Sequence, residues 1–310
     1  MKIIQQAAEL QPGTRKVCAA IGVFDGVHLG HQQVIRQTVA DAEQQEALAV
    51  VITFDRHPNA VVAPARTPPL IYSLPQKLRA IAALGADSSL VIPFDQAFSE
   101  LTGEEFIFGL ARDFEKIHSL SVGSDFTFGH QRGGNVTLLK ALGAKMHFTV
   151  HGLGAVALDS EPVSSTRIRE AVDAGRLDRA GELLGREYAL AGTVVRGDQL
   201  GRQLGFPTAN VDVTGRLTPP PGVYAIHAYH GGRRHRAVLN IGHRPTVKAP
   251  GPELRVEAHL LDFSGDLYGQ ELEITFVEKL RDEQKFASLE TLKEQIGQDI
   301  TAARRRFQAA

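Results

Sequence analysis

Val17-Cys18-Ala19-Ala20-Ile21-Gly22-Val23-Phe24-Asp25-Gly26-Val27-His28-Leu29-Gly30-His31-Gln32-Gln33 is the stretch whose reading decides the fold. Val17 to Val23 is an apolar run of a length that suits a buried strand. Gly22, Gly26 and Gly30 punctuate its exit, and Val34, Ile35, Val39 and Ala42 then share one face of a helix starting at about Gly30. His28 and His31 therefore sit where a strand hands over to a helix. Unpaired N–H groups and partial positive charge at a helix N-terminus favour phosphate. Glycines let a nucleotide approach the backbone closely. Two imidazoles three residues apart can both donate hydrogen bonds to a phosphate that gains charge in a transition state. Zinc is the competing ligand, but it needs further donors, and the single cysteine of the chain offers no cluster.

Working outward, apolar runs over 17–23, 47–54, 89–94, 119–123 and 145–150 read as strands. Helical patterns fall between them at 31–45, 75–85, 102–116 and 133–143. That alternation predicts a Rossmann-like parallel sheet with helices on its faces. Ligands in such sheets bind beyond the carboxyl ends of the strands. There the sequence places Thr53-Phe54-Asp55-Arg56-His57-Pro58 and Gly123-Ser124-Asp125-Phe126-Thr127-Phe128-Gly129. Phe126 and Phe128 would share one face of a strand, which core packing and a planar ligand explain equally well. Phe54, Asp125 and Phe128 are the candidates for contact with a bound ring or nucleotide.

Pro162-Val163-Ser164-Ser165-Thr166-Arg167-Ile168-Arg169 precedes a helical pattern over 168–174. Its hydroxyls can cap that helix. They can equally hold a triphosphate while Arg167 or Arg169 neutralises a departing pyrophosphate. One more amphipathic helix reads over 176–186.

After residue 186 the pattern changes to short β-type runs at 188–195, 222–229, 235–241, 254–262 and 271–278, then a closing helix over 289–307. Close spacing with Gly and Pro punctuation predicts a small antiparallel barrel or sandwich. The domain boundary is accordingly expected at 186/187. Arg304-Arg305-Arg306 reads as a solvated helix end. Gly201-Arg202-Gln203-Leu204-Gly205-Phe206-Pro207-Thr208-Ala209-Asn210 reads as a loop able to lie over phosphates. Thr208 and Asn210 supply oxygens suited to a hard cation such as Mg²⁺. Glu257 is the acidic member of the strand pattern Arg255 to Leu261, and a carboxylate there can face solvent or take a proton from a hydroxyl substrate.

Bulk properties bound the partners. A net charge of −1 argues against a nucleic-acid backbone as the main partner. No apolar run approaches bilayer length, and the first residues lack a signal-peptide core. One cysteine, Cys18, inside an apolar run, fits a cytoplasmic protein.

The motif His28-Leu-Gly-His31 after Gly22-Val-Phe-Asp-Gly resembles the signature of the nucleotidyltransferase superfamily, and Ser164 to Arg169 resembles its second half. With Gly205-Phe-Pro-Thr-Ala-Asn210, Asn240-Ile-Gly-His-Arg-Pro-Thr246, Val256-Glu-Ala-His-Leu-Leu-Asp-Phe263 and Leu280-Arg-Asp-Glu-Gln-Lys-Phe286, the whole chain resembles the bacterial bifunctional riboflavin kinase/FAD synthetase family. The resemblance implies that residues 187–310 phosphorylate riboflavin with ATP and that residues 1–186 adenylylate the resulting FMN, giving FAD and pyrophosphate, with Mg²⁺ in both. It implies phosphate contacts from His28, His31, Ser164, Thr166 and Arg169, with Gly22, Phe24, Asp25, Gly30, Ser165 and Arg167 in the same motifs. It implies nucleotide contacts at Gly201, Arg202, Gly205, Phe206 and Pro207, and phosphate and metal contacts at Thr208 and Asn210. Asn240 belongs to the same site, Glu257 matches the catalytic base and Arg281 a loop closing over flavin.

There are departures. Gly134-Asn135 stands where the family pattern has Gly-Asp, and the segment 247–253 reads as a loop of no assigned function. Two other readings stay open: a nucleotidyltransferase for a different phosphorylated acceptor, and a flavin-binding regulator without turnover.

Overall fold

The run that begins at Val17 becomes a strand, Val17–Ile21, with all five residues buried. An apolar strand without alternation must be covered on both faces, as a parallel sheet flanked by helices provides. The computed structural model, which describes residues 1–244 and 253–309, contains that sheet. Its strands run parallel in the order Lys2–Ile4, Ser88–Ile92, Leu48–Phe54, Val17–Ile21, Ile117–Gly123, Thr149–Leu153. Helices Leu29–Gln44, Leu74–Ala82, Gly103–Phe114 and Val136–Met146 lie between successive strands. Chain order reverses at Val17–Ile21, whose neighbours are Leu48–Phe54 on one side and Ile117–Gly123 on the other. This is the switch point at which open α/β sheets leave a crevice.

One strand lies outside the sequence expectations and one expectation needs correction. Lys2–Ile4 is an edge strand of three residues, too short to carry a periodic signal. The strand expected over 145–150 is Thr149–Leu153 instead, because Lys145 and Met146 complete the preceding helix. His147 ends that helix in the left-handed region, its N–H bonded to the Gly143 carbonyl.

Packing divides the chain into two units. One holds Met1–Leu70, Leu74–Ser165 and Leu183–Gly185; the other holds Ile71–Ser73, Thr166–Glu182 and Arg186–Ala310. In the second unit the short strands close into an antiparallel barrel, so the choice between barrel and sandwich resolves to the barrel. Its order is Ala189–Val195, Ala209–Asp212, Glu253–Leu260, Arg233–Arg244, Gly222–His230, Glu271–Arg281, the last pairing back to the first. Alternation sets the faces. Val256, Ala258 and Leu260 join Leu190, Ile226, Leu239 and Ile274 inside the barrel. Arg255, Glu257 and His259 consequently face outward.

The closing helix, Leu289–Ala309, lays Ala303 and Phe307 on the outer face against Val223, Ala225 and Val238. Burial of a side chain such as Phe307 contributes about 1.5–3 kcal/mol. Arg304 and Arg306 are exposed, as a solvated helix end requires, and also pair with Asp262 and Glu278. Residues 245–252, which hold the end of the Asn240–Thr246 motif and most of the expected 247–253 loop, lie outside the described residues. Among the described residues no helix is long and apolar enough to cross a membrane.

Candidate active sites

In the first unit the site is built where Val17–Ile21 ends. The chain turns sharply, with Phe24, Gly26 and Val27 at φ of 51°, 77° and 43°. For a β-branched residue such as Val27 this region is strained by about 1–3 kcal/mol, and such strain persists only where the surroundings over-determine it. Gly22 is required for close approach, since a Cβ there would stand 2.9 Å from the Phe24 ring.

The turn delivers His28 as the N-cap of Leu29–Gln44. Its Nδ1 accepts from the His31 N–H at 3.4 Å, and the two imidazoles stack with centroids 3.6 Å apart. Phe24 meets His31 edge-on at 5.3 Å. Gly30 leaves room for the His28 ring, 3.3 Å from where a Cβ would lie. Both histidines are thus fixed at the positive end of a sixteen-residue helix.

Ser165 Oγ donates to the Asp25 carbonyl at 3.2 Å, tying the second phosphate motif to this turn. The helix there is Ser165–Asp173, three residues earlier than expected, so Ser165 and Thr166 lie in its first turn rather than ahead of it. Ser164 precedes it, half-buried. Thr166, Arg167 and Arg169 follow along the helix, in the part that packs with the second unit.

Beside the turn is a cavity of about 690 Å³ walled by Phe54, Phe94, Phe98, Phe106, Phe126 and Phe128. Phe126 and Phe128 stack at 5.4 Å with their planes 11° apart. Phe128 belongs to the buried core, and one surface of it lines the cavity. Asp125 is exposed and outside that lining. Asn135, the departure from the family pattern, caps the helix Val136–Met146 by accepting from the Leu138 N–H at 3.0 Å.

In the second unit, strand register assembles what sequence spacing scattered. Asn210 lies not in a loop but on the barrel strand Ala209–Asp212, directly opposite Glu257. On its other side Glu257 stands opposite Asn240. The carboxylate is therefore flanked by two carboxamides on adjacent strands, facing out of the barrel. All three line a cavity of about 400 Å³ with Thr208 and Arg281.

Gly201 and Phe206 close the loop above, the Phe206 N–H donating to the Gly201 carbonyl at 2.7 Å. A Cβ on Gly201 would stand 2.5 Å from that oxygen's partner residue, at the Phe206 carbonyl. Arg202 is exposed on the short helix Leu200–Leu204, and Gly205 follows at φ 91°. His259 Nδ1 lies 2.8 Å from the Pro207 carbonyl, pinning the loop to the Glu257 strand. Oxygen donors from Thr208, Asn210 and Glu257 in one cavity fit a hard cation.

Arg281 is held bidentate by Asp299 of the closing helix, at 2.9 and 2.8 Å, and its guanidinium lies 5.7 Å from the Phe286 ring centroid. Asp299 was not anticipated, since one acid on an amphipathic helix reads as solvent-facing. Lys77 was missed for the same reason. Burial pushes its ammonium pKa down to about 8, against the pull of Asp25 and Asp55.

Comparisons with known proteins match both halves. A family model described as FAD synthetase covers residues 10–167, and one described as riboflavin kinase covers 184–307. The bifunctional riboflavin kinase/FMN adenylyltransferase of Pseudomonas fluorescens is 40% identical, over 98% of this chain and 97% of that protein. The Escherichia coli K12 protein of the same name is 37% identical, over 99% and 98%. A crystal structure from Streptococcus pneumoniae, called a macrolide-efflux protein, superposes with a TM-score of 0.80 at 29% identity, over 98% of this chain and 99% of that one. The efflux label belongs to that protein. With a signature site in each half and relatives aligned end to end, the chain belongs to the bifunctional riboflavin kinase/FMN adenylyltransferase family.

Proposed function

We propose that the chain makes FAD from riboflavin in two ATP-dependent steps, with FMN formed in the part from residue 187 onward and adenylylated in residues 1–186. The observation that carries this reading is the row Asn210, Glu257, Asn240 across three barrel strands. An alcohol is a poor nucleophile at neutral pH, and a carboxylate beside it supplies the base that phosphoryl transfer requires. The ribityl 5′-hydroxyl attacks the γ-phosphorus, the bond to the ADP oxygen breaks, and the hydroxyl proton passes to Glu257. Thr208 and Asn210 hold the nucleotide phosphates and Mg²⁺, which when bound neutralises charge developing on the transferred group. Asn240, Gly201, Arg202, Gly205, Phe206 and Pro207 shape the nucleotide site, and Arg281 contacts the flavin.

Adenylylation needs no strong base, because the FMN phosphate is already ionised. Positioning and charge stabilisation suffice. The FMN phosphate oxygen attacks the α-phosphorus, and pyrophosphate leaves with both bonding electrons. His28, His31 and the N-terminus of Leu29–Gln44 receive the nucleotide phosphates, with Gly22, Phe24, Asp25 and Gly30 forming the cradle. Ser164, Ser165, Thr166, Arg167 and Arg169 act on the leaving group, and Phe54 and Phe128 with Phe126 face the flavin ring. A cytoplasmic location fits these substrates, and neither nucleic acid nor membrane is needed for them.

The test is a time course with riboflavin, ATP and Mg²⁺, the flavins being separated by chromatography. FMN rising and then giving way to FAD supports both assignments. FMN alone means that the first domain serves another acceptor, and bound flavin with no product makes the chain a regulator.

A further inference from the structure

Lys77 is 7% exposed and makes three hydrogen bonds, none to a carboxylate. Its Nζ donates to the Val23 carbonyl at 3.2 Å, Thr53 Oγ1 at 3.1 Å and the Phe54 carbonyl at 2.8 Å. The Thr53 hydroxyl in turn donates to the same Val23 carbonyl at 3.0 Å. These acceptors lie at the carboxyl ends of the two neighbouring strands Val17–Ile21 and Leu48–Phe54. One strand end leads into the strained Phe24–Val27 turn and the histidine cap. The other ends on Phe54, and Val23 and Phe54 both line the phenylalanine cavity.

An ammonium has three protons, and all three are engaged here, so none remains for a ligand. A buried cation in a saturated network fixes the groups it bonds, and leaving any of them unmade carries the full desolvation cost. We infer that Lys77 is a positioning residue for the adenylylation site: it clamps the exits of two strands so that the phosphate turn and the aromatic wall keep a fixed spacing. This rests on the functional reading above for what the two sides bind.

The charged groups facing Lys77 are Asp25, on the turn, and Asp55, after the second strand. Both favour the ammonium, while burial disfavours it and brings its titration to about 8. The clamp therefore loosens as pH rises through 8. An arginine, always charged, would hold charge across that range.

The experiment compares full-length wild type, Lys77→Met and Lys77→Arg. FAD formation from FMN is measured from pH 6.5 to 9.5, riboflavin phosphorylation on the same preparations, and amide hydrogen exchange over residues 22–31 and 54–57. The expected result for Lys77→Met is about a 100-fold loss in kcat/KM for FAD formation with phosphorylation within about twofold. Exchange should rise in those two segments while the sheet strands stay protected. Lys77→Arg should recover part of the rate and lack the alkaline fall of the wild type. Unchanged FAD formation and exchange in Lys77→Met would overturn the inference. If Lys77→Met fails to fold, Lys77→Arg decides the matter: FAD formation and exchange over both segments equal to the wild type at pH 7 would overturn the inference. A wild type that makes no FAD while Lys77→Met still shows the local exchange would sink the functional reading and leave the positioning role standing.

Discussion

Burial of Lys77 makes the stability of the protein depend on pH in a direction opposite to ordinary alkaline denaturation. Its ammonium titrates at about 8 in the folded chain and near 10.5 when unfolded. Between those values the unfolded chain binds a proton that the folded chain has released. The unfolding free energy therefore rises with pH across the window and is level outside it. A gap of 2.5 in pH, at about 1.4 kcal/mol each, gives ~3 kcal/mol. Lys77→Met removes this contribution. Urea unfolding of both full-length proteins, followed by circular dichroism at pH 7.5, 8.5, 9.5 and 10.5, reads it as a difference. Wild type should gain ~3 kcal/mol on Lys77→Met between the ends of that series. A difference that does not change with pH would mean that Lys77 titrates normally in the fold. A difference of opposite slope would mean that attraction to Asp25 and Asp55 outweighs desolvation.

Other perturbations separate the two sites. Glu257→Gln keeps the shape of the Asn210–Glu257–Asn240 row but removes the base, so FMN formation should fall about 10²–10⁴-fold while conversion of supplied FMN to FAD, read by chromatography, is unchanged. His31→Ala should do the reverse, lowering FAD formation about 10²–10³-fold and sparing the kinase; an unchanged FAD rate would remove the role assigned to that ring. Asp299→Ala leaves Arg281 without its bidentate partner, and should cost about 3 kcal/mol in urea unfolding and raise KM for riboflavin. Gly129→Ala meets two obstacles, a φ of 72° and backbone atoms of Thr102 and Gly103 in the way, the Gly103 Cα 2.7 Å from the added carbon. It should destabilise by at least 2 kcal/mol, roughly, in the same assay.

Local chemistry explains what the sequence determined by itself. The parallel sheet was legible because strands buried on both faces are written as unbroken apolar runs, Leu48–Phe54 being buried throughout. The passage from strand to helix at His28 and His31 was legible because an apolar run, closely spaced glycines and a helical pattern follow one another there; that His28 itself caps the helix came from the structure. The family was legible because its motifs are contiguous. Short-range signals fail where an element is short or a residue acts through space. Ala209–Asp212 has four residues and begins two residues after Pro207, so it read as loop; pairing on both sides makes it a strand. Glu257 on its own strand was indistinguishable from a solvent-facing acid. Only the barrel register set it between Asn210 and Asn240. Lys77 and Asp299 lie on amphipathic helices, where a lone charge reads as outward. Their partners, Val23 and Arg281, are 54 and 18 residues away in the chain. Periodicity records which face of an element is buried, and so the fold class follows from sequence. Which side chains meet across elements is a matter of register and closure, and that was decided by the tertiary structure.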